Sequence, residues 1–431
     1  MTKWRWLVMQ TARRLWVRAT LIGALGVLAA LFATIAERFI PGPVPGAIGS
    51  EAVGSLLTII ASSMLAVTTF SLNIMVSAYG SATTNVTPRA TQLLIEDRLT
   101  QSVLASFLGS FLFSIVSLIV LQTGAYGERG RAVLFLTTIA VIAMVVISLV
   151  RWIDHLTKLG RLGETTTRVE QAARVAIEAR LREPYLGGSA WLERPDDLPP
   201  DTIAMPLRTI GYVQHIDMPA LSRFCETHEA DLYVKAMPGT FVHPQMLLVW
   251  ITRLKAGTDT AEACETVCNA FSIGDERSYD QDPRFGLAVM SEIGSRALSP
   301  ATNDPGTAID VIGRQTRLLS LWAQGPASGG RHEPPAHGRV HVPPIDPSDL
   351  FEDSFMLMAR DGAGLIEVQL RIQKALFALS QIGDDAFRNA ALYQSSLAIA
   401  RAEAAMTLEA DKERLRTFIA SRKDAGVVNE A

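Results

Sequence analysis

Four stretches of the chain carry no charged residue, 19–36, 52–88, 99–127 and 132–150, and each is bounded by Arg or Glu. A bilayer core of about 30 Å takes roughly 20 apolar residues as a helix, and only helices or closed barrels satisfy their backbone there. The pattern therefore predicts a polytopic membrane protein with four spanning helices. The second stretch is unusual: its apolar part, 52–82, would make a helix of about 46 Å, longer than the hydrocarbon is thick. It must tilt or run past the membrane, and Pro88 marks a boundary after it. The loops 38–51 and 124–130, rich in Gly or Pro, read as short periplasmic turns.

Beyond residue 151 the periodicity changes. Residues 151–182 read as an amphipathic stalk continuing the fourth helix, broken by the Gly- and Pro-rich segment 187–200. Thr209–Gln214, Asp231–Met237 and Met246–Ile251 alternate as strands, with a helix at 217–229 and a turn at Pro238-Gly239. Helices are expected at 259–270, 283–297 and 305–323, the last two each opened by Asp-Pro, an N-cap acceptor followed by a residue suited to the first helical position. Residues 324–347, rich in Gly, Pro and His, read as a flexible linker. The expected organisation is a basic interfacial N-terminus (1–18), a four-helix transmembrane domain (19–158), stalk and linker (159–200), an α/β domain with a helical end (201–323), the linker (324–347), C-terminal helices (348–423) and a disordered tail (424–431). The fold class is mainly α: a four-helix transmembrane domain, N-in and C-in, plus a cytoplasmic α/β domain with a helical C-terminal part.

Charge supplies the orientation. Lys3, Arg5, Arg13, Arg14, Arg18, Arg89, Arg98, Arg151, Lys158 and Arg161 flank the spans on one side, against Arg38, Arg129 and Arg131 on the other. The positive-inside rule puts the N-terminus, the loop 83–100 and everything after 151 in the cytoplasm of a bacterial inner-membrane protein. Trp4, Trp6 and Trp16 among the N-terminal basic residues read as an interfacial anchor. With 48% hydrophobic and 19% charged residues, the chain is too apolar for an ordinary soluble protein of its length. Its three cysteines fall in the cytoplasmic part, where thiols stay reduced.

Catalytic chemistry has little support. The seven histidines are scattered, no phosphate loop, dinucleotide fingerprint or nucleophile elbow occurs, and Cys264 and Cys268 lack further metal ligands. No enzyme activity, cofactor, metal or nucleic-acid partner is expected; the expected partners are the bilayer and further copies of the chain. No span holds Asp, Glu, Lys, Arg or His, which disfavours proton coupling and voltage sensing. The second span is the most polar. Ser62, Thr69, Asn73 and Ser77 load one side of it with hydroxyl and amide groups, suited either to helix packing or to lining a pathway. In the third span Ser102, Ser106, Ser110 and Ser114, spaced by four, suggest an interhelical seam. Farther on, Ser299, Thr302, Asn303, Asp304, Thr307 and Asp310 surround the start of a helix, as an anion-binding or assembly corner or as a plain capped turn.

Several of these motifs occur together in one family. Phe70-Ser71-Leu72, Thr87-Pro88-Arg89, Asp97-Arg98, Gly211–Gln214 with Asp217, Pro238–Val242, Phe285-Gly286 and above all Ala297-Leu-Ser-Pro-Ala-Thr-Asn-Asp-Pro-Gly-Thr-Ala308 resemble the bacterial predicted membrane protein family called domain of unknown function 2254. The likeness covers most of residues 1–323. Thr87 departs from the family's Ser, and Ala301-Thr302 also differ. The resemblance implies a polytopic inner-membrane protein with a cytoplasmic domain, brings no activity with it, and adds weight to the 299–310 segment. Two readings remain open: an oligomeric channel-like or transport-related protein with a cytoplasmic regulatory domain, and a membrane-anchored sensor or scaffold whose cytoplasmic domain binds a ligand or protein.

Overall fold

The computed structural model describes residues 2–36, 50–95, 97–157, 161–191, 202–206, 209–325 and 334–427. The expected periplasmic turn at 38–51 lies almost wholly outside them. The chain is mainly helical and divides into two compact units, Leu7–Thr165 and Thr166–Ala431, the latter including the first residues up to Trp6.

Among the described residues, the first unit holds four helices long and apolar enough to cross a membrane. They are α2 (Leu15–Ala36), α3 (Ser50–Asn85), α5 (Arg98–Gln122) and α6 (Glu128–Leu156), with the short α4 (Pro88–Ile95) between the second and third. The 36-residue α3 is the overlong element expected from the sequence, and α4 begins at Pro88. Helix α5 is the core of this unit. Its Phe107 and Phe113 are buried, and its Ser110, Ser114 and Ser117 face inward. Gly109 sits so close to α2 that a side chain there would meet Ile22, and one on Gly26 would meet the Gly109 carbonyl at 2.7 Å. Small residues thus let two backbones approach where no water competes for dispersion contacts.

The second unit contains two sheets. A mixed five-stranded sheet runs β1-β8-β4-β6-β2, built from β1 (Gly188–Ala190), β2 (Ile203–Pro206), β4 (Asp231–Val234), β6 (Leu247–Thr252) and β8 (His337–Val342). A three-stranded antiparallel sheet runs β5-β3-β7, from β3 (Gly211–Ile216), β5 (Phe241–Val242) and β7 (Phe271–Gly274). Their shared core collects Leu232, Val234, Leu248, Val249, Ile251, Val340 and Val342 with Leu221 and Phe224 of α8 (Met218–His228). Helices α9 (Thr260–Asn269), α10 (Pro283–Ala297) and α11 (Pro305–Ala323) follow the expected bounds closely.

Two expectations are corrected. The 324–347 segment is not linker throughout: β8 pairs in parallel with β4 and β1 and buries Val340 and Val342. The stalk is not a continuation of the fourth helix, because α6 ends at Leu156 and a separate α7 (Leu162–Arg182) buries Val169, Ala173 and Ile177. The C-terminal helices pack onto the rest of this unit. Helix α12 (Pro347–Asp361) lies against α10, where Arg284 pairs with Asp353 at 2.7 Å and with Asp349. Helices α13 (Ile366–Leu379), α14 (Asp385–Ala405) and α15 (Glu409–Val427) complete the unit, and α15 covers half of the expected tail.

Two motif glycines have backbone reasons. Gly286 of α10 lies against α7, with a virtual Cβ 2.4 Å from the Ala173 Cβ, and Gly239 has φ +92° with a virtual Cβ 2.1 Å from Asp282 Oδ2. Gly239→Ala combines left-handed strain with a clash against a buried carboxylate, and should destabilise the unit by about 1–3 kcal/mol. A fall in the thermal midpoint of the purified protein checks this; an unchanged midpoint contradicts it.

Candidate functional site

Four polar residues of α3 are brought to one side of the helix, and that side is exposed, whereas Ser71 is buried. Ser62, Thr69, Asn73 and Ser77 all face away from α5 and α6, whereas Leu57, Ile60, Met64 and Met75 are buried. Within a helix the hydroxyls have a local remedy. Ser62 Oγ donates to the Thr58 carbonyl at 2.9 Å and Thr69 Oγ1 to the Leu65 carbonyl at 3.0 Å, so their cost in an apolar medium is small. Asn73 differs, because its amide offers two donors and an acceptor that the helix does not take up. Among the described residues its side chain has no hydrogen-bond partner, although it lies inside the candidate span Glu51–Ser81. A polar amide left unmatched in hydrocarbon costs about 2–7 kcal/mol, more than a hydroxyl returned to its own backbone.

The sequence reading missed a second polar feature, at the start of α5 and the end of α6. Asp97 caps α5 by accepting from the Thr100 backbone N–H at 2.8 Å and its hydroxyl at 2.6 Å. The same carboxylate oxygen lies 3.0 Å from His155 Nε2, which is 2.9 Å from Thr100 Oγ1. His155 is buried beside the Trp152 ring. The Asp97-Arg98 motif carried a signal, but nothing in one dimension paired it with a histidine 58 positions away. This clasp ties two membrane helices together at one end.

The corner at 299–310 closes on itself. Asn303 N–H and Thr302 N–H donate to the Ser299 carbonyl, Asp304 N–H donates to the Ala297 carbonyl at 2.8 Å, and the Ser299 hydroxyl donates to Thr302 Oγ1 at 3.2 Å. Asp304 accepts from the Thr307 N–H at 3.0 Å and from its hydroxyl at 2.5 Å. Those bonds, the hydroxyl first, hold the Asp304 carboxyl below its ordinary pKa. The first amides of α11 are thus already capped, and an incoming anion would have to displace Asp304. Asp310 is not part of the corner: it accepts from Arg314, which also reaches Glu170 of α7 at 2.7 Å. Arg317 donates to the same Glu170, making a network between α7 and α11.

At the N-terminus, Trp6 is not at an interface but 2% exposed, stacked on His215 at 5.1 Å with its indole N–H donating to Asp280 at 2.8 Å. It belongs to α1 (Lys3–Ala12). Trp4 and Trp16 remain exposed.

A model of the predicted membrane protein family, domain of unknown function 2254, matches residues 12–378, and the chain belongs to that family. Uncharacterized proteins of Mycobacterium tuberculosis and Mycobacterium bovis are 33% and 32% identical to it over 137 residues. That stretch is 31% of this chain and 26% of each relative, so the chain matches about a quarter of their length. No solved structure matches it.

Two variants separate cap from ligand site in the corner. Asp304→Ala should cost about 1 kcal/mol. Asn303, at φ +48°, should accept Gly without loss. The stabilisation from Asp304 is complete above the ordinary carboxylate range and is lost as pH falls through its depressed pKa. Thermal melts of both variants at neutral and acid pH check this; an Asp304→Ala variant as stable as wild type at neutral pH contradicts it.

Proposed function

We propose that this member of the family is a homo-oligomeric protein of the bacterial inner membrane, in which the polar face of α3 from several copies surrounds a shared pathway. The observation that carries the reading is Asn73, an amide inside a spanning helix that faces outward with no hydrogen-bond partner among the described residues. A second copy bringing the same face supplies either an amide partner or a water-filled space, and both remove the cost of exposing Asn73 to lipid tails. Four helices per chain leave no room for an internal conduit, so symmetry has to build it. With Ser62, Thr69, Asn73 and Ser77 as lining and no fixed charge, the pathway suits small ions or neutral solutes, whose hydration shell hydroxyls and amides replace in part.

The excess of Lys and Arg beside Trp16, Arg98 and Leu156 supports an N-in, C-in orientation and a cytoplasmic second unit acting as regulator. The alternative is a membrane-anchored sensor or scaffold, with the helices serving for anchorage and assembly. It is favoured by the large share of the chain in the second unit.

Purified protein in liposomes should conduct. Asn73→Leu should lower flux about tenfold, equivalent to about 1.4 kcal/mol at the barrier, while Asn73→Gln largely preserves it. No conductance in wild type across voltage, tension and pH would sink the pathway and leave the sensor reading.

A further inference from the structure

The second unit contains a cleft of about 310 Å³ that the polar face of α3 does not involve. Its lining brings together Arg180 from α7, Arg277 from the segment before α10, Arg284 from α10 and the Gly239 turn. We propose that this cleft is a binding site for a small organic oxyanion, a phosphate or carboxylate compound, read by the guanidinium of Arg180. The proposal stands whether or not α3 lines a pathway.

The three arginines are not equivalent. Arg277 is spent on Asp282, with Nε at 2.8 Å and Nη2 at 2.7 Å from Oδ2. Arg284 is spent on Asp353 and Asp349. Arg180 is 7% exposed, yet among the described residues it makes one hydrogen bond, from Nη2 to the Gln281 carbonyl at 3.1 Å, and no carboxylate lies within ion-pair distance. Burial lowers its pKa to about 10, with Asp282 opposing the shift, so the group is still a cation at neutral pH. A guanidinium has five donors in a planar fork matched to oxyanions, and a buried charge with most of its donors unmatched is costly.

The neighbouring carboxylate is not available to Arg180. Asp282 Oδ1 accepts from the backbone N–H groups of Arg284 and Phe285, and its Oδ2 is held by Arg277. Helices α10 and α12 both begin at the cleft, and their first amides are capped by Asp282 and Asp346, so the unspent positive charge in the cleft is that of Arg180. Asp346 is occupied as the cap of α12 through the Ser348 N–H at 2.8 Å. The volume is at the lower end for small-molecule sites and exceeds what inorganic phosphate alone fills. Met237, Pro238, Pro344 and Ile345 offer apolar wall for the rest of the ligand.

The test is calorimetric titration of full-length protein in detergent with inorganic phosphate, pyrophosphate and citrate, against chloride at equal ionic strength. Saturable binding of pyrophosphate or citrate is expected, the stronger of the two assigning phosphate or carboxylate chemistry. Arg180→Gln should weaken it at least tenfold and Arg180→Lys less. Because Arg180→Gln could perturb folding, Thr240→Glu, which sets a carboxylate at the cleft wall without touching Arg180, should weaken binding to the same degree. Absence of saturable binding to all three probes, or binding undiminished in both Arg180→Gln and Thr240→Glu, overturns the proposal.

Discussion

The constraint on which the rest depends is that hydrocarbon supplies no hydrogen bonds, so every polar group inside it must find its partner in protein or in enclosed water. The first unit meets that demand locally at many positions, although the Ser71 and Ser114 hydroxyls are buried without a partner among the described residues. Serine and threonine hydroxyls return to carbonyls of their own helices, as with Thr68 to Met64 and Thr138 to Leu134. Tyr126 reaches across to the Ala30 carbonyl at 2.8 Å. With polar groups cheap to hold, packing decides which helix is central. The glycine contact between α2 and α5, and the inward serines of α5, make α5 the seam. This leaves α3 with an uncovered polar side, on which the Asn73 amide has no hydrogen-bond partner among the described residues.

In the second unit, the groups that need matching are buried charges. Glu170 is held by Arg314 and Arg317, and Asp282 by Arg277 and two backbone amides. The Pro238-Gly239 turn comes close enough to Asp282 that only glycine fits, and Phe285 packs against Tyr279 at 4.5 Å with the Arg277 guanidinium over its ring. The family motifs Pro238–Val242 and Phe285-Gly286 are therefore two sides of one arrangement around a single carboxylate.

Local signals were legible and long-range pairings were not. Uncharged length showed the four spans, and Asp-Pro showed where α10 and α11 begin, because capping and proline act within one turn. The polar side of α3 was legible for the same reason, since helical spacing puts Ser62, Thr69, Asn73 and Ser77 together. Strand β8 was hidden because its partners β4 and β1 lie far away in sequence, and its Gly, His and Pro neighbours mimic a linker. The clasp of Asp97 with His155, the burial of Trp6 on His215, and the meeting of Arg180 with Arg277 and Arg284 likewise depend on tertiary proximity that no spacing encodes. In the 299–310 run the residues were legible but their satisfaction was not, because whether Asp304 caps or leaves amides open is a matter of side-chain rotamer.

The central claim is that the Asn73 side of α3 is covered by another copy of the chain. Its most direct measurement is thiol cross-linking in native membranes, with single cysteines placed by Asn73→Cys or, as a control on the exposed apolar side of α6, by Val146→Cys, in a background without the native cysteines. The account predicts covalent dimers from position 73 and none from position 146. Cross-linking at 146 but not at 73 would contradict it.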